Sequence, residues 1–255
     1  MTDFRTGVRP CIRVRIPAAD TADTVGDLSS AQGGDLIAFG RYEQDNDLDN
    51  GPEAIQWRVL DKKDGKLLVI SDKSLYESSF AYLGWQPVPQ NWESSCARGW
   101  LNNYFMQTAF TPAEQARVVL TNVHTEPTEG SPIDPGPDTQ DYMFLLSGQE
   151  ASAYFPTAES RRTKTTAYAL SRRSESIAHQ GFDGDFEVWA NVSFWLLRSP
   201  AQKPNWVYGA AYIYDYTTPY GEPGDVWYHD GRDTGDIRPA MRVDVDTLTN
   251  VTDAC

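Results

Sequence analysis

IQWRVLDKKDGKLLVIS, residues 55–71, sets two strand-like runs on either side of an Asp-Gly pair. Ile55, Trp57 and Val59 alternate with Gln56 and Arg58, the period of a half-buried strand, and Leu67–Ser71 is a short aliphatic run of strand composition. Asp64-Gly65 supports a hairpin turn between them, with the flanking lysines expected to lengthen the loop. Upstream, Ile37–Tyr42 has the same strand character.

Downstream the period changes. Cys96, Trp100, Leu101, Tyr104 and Phe105 recur at helical spacing behind the cap candidates Ser94 and Ser95, predicting a core helix over Ser95–Gln107. Thr111-Pro112-Ala113-Glu114 reads as a capping box with proline at the first helical position. Ser147-Gly148-Gln149-Glu150 is a second box, opening a helix over Ser147–Phe155 that presents Ala151, Tyr154 and Phe155. Between the boxes, Glu126–Gln140 reads as a proline-rich loop ahead of a strand, Tyr142–Leu146. Ser193–Leu197, Trp206–Tyr216, Asp225–His229 and Ile237–Val245 are further strand candidates separated by Pro, Gly and Asp. Early strands, central helices and a late antiparallel meander make an α+β fold, with Trp57, Trp100 and Trp195 expected in its core.

At the ends, Gly7–Ile16 (GVRPCIRVRI) matches Asp236–Val245 (DIRPAMRVDV) in its Arg-Pro, Arg and aliphatic positions. Residues 1–19 are therefore expected to be the terminal strand of a preceding related domain, 20–33 a small, polar linker, and 34–255 the domain itself. A longer parent chain with tandem related domains is the corresponding expectation.

The formal net charge of −14 argues against a grip on nucleic acid or anionic membrane, which needs clustered Lys and Arg. The one dense basic run, Arg161-Arg162-Thr163-Lys164 with Arg172-Arg173 nearby, reads as a solvated face. Cys11, Cys96 and Cys255 have no paired spacing for zinc, and their odd number leaves at least one thiol unpaired; Cys96 fits the helix core. No apolar run reaches the ~20 residues of a membrane span, so direct membrane insertion is not expected, and Met1–Asp20 has no signal-peptide pattern.

Catalytic signatures are missing as well. His124, His179 and His229 form no H-E-x-x-H pattern, and there is no G-x-S-x-G elbow or phosphate-cradling glycine loop, so no catalytic residue and no cofactor is expected. Asp45, Asp47 and Asp49 resemble the start of a calcium loop, but Asn50 stands where glycine is needed and Gln56 where a bidentate Glu is needed. A solvated turn without metal is the expectation there. Asp134, Asp138 and Asp141 are expected as turn formers and caps.

Aromatic residues concentrate late in the chain. From Trp206 to Tyr216 the even positions are Trp206, Tyr208, Ala210, Tyr212, Tyr214 and Tyr216, and the odd ones include Val207, Gly209, Ala211 and Ile213. On a strand, residues two apart share a face, so the rings are expected to face outward and the small residues inward. Tyr220, Asp225, Trp227, His229, Arg232 and Asp233 continue the same chemistry, giving an eleven-residue candidate ligand surface. Tyr and Trp supply contact area at low conformational-entropy cost, as in paratopes and hot spots.

FGRYEQDN (Phe39–Asn46), WRVLD (Trp57–Asp61), LLVIS (Leu67–Ser71), WESSCARGWLNNYF (Trp92–Phe105), FLLS (Phe144–Ser147), WLLRSP (Trp195–Pro200) and IRPAMRV (Ile237–Val243) together resemble a bacterial family catalogued as a domain of unknown function. That family is similar to the C-type lectin-like fold and to the variable proteins of diversity-generating retroelements. The resemblance implies a small antiparallel sheet flanked by two helices and supporting ligand-binding loops, with the variable positions between Trp195 and Arg238. The implied function is recognition of an unknown protein or glycan ligand at a cell or phage surface. The alternatives are a structural domain of a surface protein or a catalyst like the formylglycine-generating enzymes. Such catalysts rely on active-site cysteines, and Cys11, Cys96 and Cys255 fall outside any comparable late-chain pair.

Overall fold

A computed structural model of the chain describes residues 28–80, 91–131, 134–172, 193, 195–200, 209–213, 226–230 and 234–245. It is a mixed α+β structure with largely antiparallel sheets and few, short helices. The expected terminal strand, residues 1–19, lies outside the described residues. Of the expected linker, residues 28–33 are described, and there Leu28 and Ala31 are buried in the core.

The first sheet grows from the hairpin of residues 55–71. β2 (Glu53–Lys63) and β3 (Lys66–Ser71) pair antiparallel with Lys63 opposite Lys66, so the loop is only Asp64-Gly65. Both turn residues have positive φ, 50° and 68°, the two-residue geometry whose twist matches that of strands. The flanking lysines thus belong to the strands and do not lengthen the loop. β1 (Leu36–Tyr42) pairs with β2 through a bulge near Gly40. Gly40 has φ 72°, and a Cβ there would come 2.5 Å from the Phe110 ring and 2.7 Å from the Ala109 carbonyl. Only glycine satisfies both conditions.

Five helices among the described residues complete the outline. α1 runs through Cys96–Trp100, a π-helical stretch Leu101–Phe105, and Met106–Ala109. Its buried positions are Ala97, Leu101, Phe105 and Ala109, with Met106 beside them. A strict four-residue repeat drifts about 40° per step on a helix of 3.6 residues per turn. The wider π turn takes up that drift and keeps all four residues inward. Trp100 and Cys96, expected in the core, are half-buried on the flank of this stripe, and Tyr104 is exposed. α2 (Pro112–Gln115) and α3 (Gly148–Tyr154) start at the expected capping boxes, with Thr111–Glu114 and Ser147–Glu150 hydrogen-bonded reciprocally. Glu114 also accepts from the Gly40 N–H at 2.9 Å, tying α2 to the β1 bulge. α4 (Ala158–Arg161) and α5 (Ala167–Ser171) are single turns that the sequence reading did not anticipate.

The remaining strands are β4 (Tyr76–Ser79), β5 (Thr121–Val123), β6 (Thr139–Asp141), β7 (Met143–Phe144), β8 (Trp195–Pro200), β9 (Gly209–Ile213), β10 (Val226–Asp230), β11 (Thr234–Ile237) and β12 (Ala240–Asp244). The first sheet has order β1-β2-β3-β12-β7 and is antiparallel throughout. The second has order β10-β9-β8-β11-β4, with one parallel pair, β8 and β11. β5 and β6 form a small ribbon at the edges of the expected proline-rich loop. The expected Tyr142–Leu146 strand contracts to β7, and the expected Ile237–Val245 strand divides into the end of β11 and β12 at Arg238-Pro239.

Trp57 and Trp195 are buried as expected, and their indole N–H groups donate to the Phe39 carbonyl at 2.6 Å and the Arg161 carbonyl at 3.1 Å. Trp57→Ala is expected to cost about 3–5 kcal/mol by chemical denaturation, the range for large aromatic truncations in a core. Trp100→Ala is expected to cost distinctly less, because its ring is only partly enclosed. Equal losses in the two variants would contradict the flank position of Trp100.

Candidate functional site

The late aromatic stretch is described only through two strand backbones. β9 and β10 are adjacent, with Tyr212 and Trp227 as Cα partners and His229 opposite Ala210. Tyr212 is also the Cα partner of Leu196 in β8. Trp206, Tyr208, Tyr214, Tyr216, Tyr220, Asp225, Arg232 and Asp233 lie outside the described residues. The register thus brings Tyr212, Trp227 and His229 into one pair of strands. Tyr212 and Trp227 are direct cross-strand partners in the backbone ladder.

Around that pair the two ends of the interval meet. Trp195 begins β8 and Arg238 follows β11, and the parallel pairing sets Asp236 opposite Trp195. The Arg238 guanidinium lies 4.9 Å from the Trp195 ring centroid and 5.2 Å from that of Phe155. It donates through Nε to the Ser71 carbonyl at 2.8 Å, and the residue is buried. A planar cation set in the corner of two nearly perpendicular rings and against a carbonyl is held in one geometry. The two ends of the interval, Trp195 and Arg238, therefore meet at one point.

A second aromatic group was not anticipated. Tyr76 and Trp100 stack with centroids 4.4 Å apart and planes 10° from parallel, and Trp100 stacks in turn on Phe105 at 4.9 Å. Tyr42 sets its edge against Trp100, Phe105 and Tyr168. Arg172 lies 5.5 Å over both the Tyr76 and Tyr168 rings. Burial, followed by the neighbouring tyrosines, pushes the Tyr42 hydroxyl far above the ordinary tyrosine range, so it stays neutral. Tyr104, on the π turn beside this group, is 51% exposed. These residues come from separate segments, so neither strand parity nor helix period could have assembled them. β4, which carries Tyr76, is the opposite edge of the sheet from β10, about 19 Å away at ordinary strand spacing.

Carboxylates divide by environment. Asp45 accepts from the Asp47 N–H at 2.8 Å and from Asn50 Nδ2 at 2.9 Å, and Asp47 accepts from the Asp49 N–H at 3.2 Å, so the expected turn is present. Glu43, Asp45 and Glu53 bring one carboxylate oxygen each within 4.8 Å of one another, though in a different combination from the one the sequence raised. Partial burial, followed by the neighbouring acids, raises the Glu43 carboxyl above its usual range. Asp134 forms the expected turn, accepting from the Gly136 N–H at 2.9 Å. Asp141 departs from its expected role as turn former. It is buried and accepts from Arg98 Nε at 2.7 Å, Trp92 Nε1 at 2.8 Å and the Thr139 hydroxyl at 2.6 Å. Asp138 pairs with His124 Nδ1 at 2.6 Å on the surface. Within the basic run, Arg162 and Lys164 are exposed as expected, while Arg161 is half-buried and donates to the Phe155 carbonyl at 2.8 Å. Cys11 and Cys255 lie outside the described residues. Cys96 is a free thiol pushed up by burial.

These are features of a mixed α+β domain in which β8 and the residue after β11 are joined by a contact of arginine and tryptophan. The chain belongs to the family described as a domain of unknown function, DUF6273, whose profile matches residues 64–245. No curated protein and no solved structure matches the chain.

The His124–Asp138 pair gives a pH test. The Asp138 hydrogen bond, and then its charge, raises the His124 imidazole above its ordinary value near 6.5, and the same hydrogen bond lowers Asp138. The histidine contribution is complete below the unfolded histidine pKa and is lost as pH rises through the raised folded value. The aspartate contribution is present above the ordinary aspartate pKa and is lost as pH falls through the lowered one. A proton-NMR titration should therefore find the His124 midpoint above 6.5, and Asp138→Asn should bring it back down. An unchanged midpoint in that variant would rule out the pair in solution.

Proposed function

We propose that the domain is a non-enzymatic recognition module of C-type lectin-like plan, which holds an aromatic, sequence-variable surface toward a protein or glycan ligand. The observation carrying this is the closed interval between Trp195 and Arg238. Its ends meet at a clamp in the buried framework, and its middle supplies paired strands with Tyr212 opposite Trp227. A segment anchored at both ends on a rigid scaffold can change its exposed residues without changing the fold beneath. Tyr and Trp are the residues that such adaptable surfaces use most.

The plan itself is supported by the all-antiparallel sheet that β12 joins beside β3, with α1 and α3 as its longer helices. Tyr208, Tyr214, Tyr216, Tyr220, Asp225, His229, Arg232 and Asp233 extend the recognition surface in this proposal, together with Trp206. Diversification by a retroelement is the finer form of the same proposal. It requires a neighbouring reverse transcriptase and a repeat matching Trp195–Arg238 except at adenines. An extracellular or phage-surface setting follows from a ligand on another surface.

The double variant Tyr212→Ala/Tyr214→Ala is expected to stay folded, with unfolding free energy within roughly 1 kcal/mol of the parent, as for exposed sites. Against a ligand selected with the parent domain from a glycan array and a displayed-protein library, its affinity should fall by about 2 kcal/mol or more if either ring is a hot spot. A double variant that unfolds would return these rings to the core and withdraw the proposal.

A further inference from the structure

The strand that follows the Arg238 clamp is repeated in the sequence, and the structure shows what each repeated position does. Gly7–Ile16 (GVRPCIRVRI) aligns without a gap on Asp236–Val245 (DIRPAMRVDV), with Arg9, Pro10, Arg13 and Val14 identical to Arg238, Pro239, Arg242 and Val243. Arg238 is the clamp on Trp195 and Phe155, and the Pro239 carbonyl accepts from the Ser71 N–H at 2.9 Å. Ile237, Met241, Val243 and Val245 are buried, and the repeat has Val8, Ile12, Val14 and Ile16 at those positions. β12 lies inside the first sheet, with Ala240 opposite Ile70 of β3 on one side and Phe144 of β7 on the other. What recurs is therefore a complete unit: the clamp cation, the proline at the sheet change, and a strand with one apolar face.

The remaining differences say which domain the repeat fits. Asp244 is the Cα partner of Lys66 in the β12–β3 ladder, and the repeat has Arg15 at that position. Directly opposed residues share a face of a ladder, where opposite charges stabilise and like charges repel. Arg15 in this slot would set a cation against Lys66. Asp236 Oδ2 accepts from the Thr165 hydroxyl at 2.7 Å in the core, and Gly7 has no side chain to replace it. Ala240 is fully enclosed, and Cys11 is larger by a sulfur atom, which overfills a packed site. The repeat keeps what makes the strand and lacks what is particular to this domain.

We propose that Gly7–Ile16 is the closing strand of a second, related domain, which it enters between the counterparts of β3 and β7, and that this partner carries an acidic residue where the present domain has Lys66. Charge complementarity with Arg15 selects a related domain over another copy of this chain. The tandem arrangement expected from the sequence thereby acquires a site and a charge rule. Neither uses the aromatic surface, so the inference stands or falls apart from the recognition proposal.

The test sets the repeat into the described slot of the full chain. Asp236→Gly, Ile237→Val, Ala240→Cys, Met241→Ile, Asp244→Arg and Val245→Ile together give residues 236–245 the sequence of residues 7–16. By urea denaturation the sixfold variant is expected to fold cooperatively, with lower stability than the parent. Lys66→Glu should then change the folding constant more favourably in this background than in the parent, by at least about threefold, the size of a cross-strand charge pair. Lys63 also opposes residue 66 but is common to both backgrounds, so the difference reports position 244. If the sixfold variant does not fold, the fourfold variant that retains Asp236 and Ala240 carries the same comparison. Failure of both to fold, or a Lys66→Glu effect that is equal in the two backgrounds or favours the parent, overturns the proposal. The full chain should also sediment as a monomer. A dimer that disappears on deletion of residues 7–16 would place the strand in a second copy of this chain and overturn the choice of partner.

Discussion

Arg238 is the side chain on which the rest of this structure depends. Its guanidinium is buried against the rings of Trp195 of β8 and Phe155 at the end of α3, and it reaches the last residue of β3 through the Ser71 carbonyl. Burying a cation carries a desolvation penalty of several kcal/mol, offset only where geometry and partners are good. Here two ring faces and a backbone carbonyl supply them. The contact joins the first sheet, the second sheet and a helix at one point, and the next residue continues the joint, since Pro239 accepts from the Ser71 N–H at 2.9 Å. Proline at this position cannot extend β11 as an interior ladder residue, so the chain leaves one sheet and enters the other as β12.

Two further buried ionic centres divide the remaining work. Arg198 donates to Glu150 at 2.5 Å and to the carbonyls of Leu145 and His124 at 2.7 and 2.8 Å, so the residue that closes the α3 capping box is also the partner of a β8 cation. Asp141 collects Trp92, Thr139 and Arg98, binding the start of α1 to β6. With loops this long and helices this short, apolar burial alone leaves many packings nearly equivalent. Directional contacts at these centres select among them.

What could be read in advance follows from how local each cause is. The Asp-Gly hairpin and both capping boxes were legible because turn and cap chemistry act within four residues, and Trp57 and Trp195 because strand composition marks the core. Asp141 was misread as a turn former because its partners Trp92 and Arg98 are more than forty positions away. The π turn of α1 left a signal, the four-residue spacing of Ala97, Leu101, Phe105 and Ala109, but the large residues Trp100 and Tyr104 drew attention to the flank. Nothing local announces the Tyr76–Trp100 stack, whose residues come from β4 and α1. For the late aromatic residues, the structure adds the register of Tyr212 with Trp227, a pairing the sequence did not give.

The meeting of Trp195 and Arg238 also has an entropic side. Closing a flexible loop costs free energy that grows only with the logarithm of its length, about 0.6 kcal/mol for each doubling. Because both ends of this interval are set by the same clamp, lengthening or shortening the segments that join its strands costs the framework little. Length, as well as residue identity, is therefore open to variation in this part of the fold, and a foreign peptide grafted there would inherit anchors already in position.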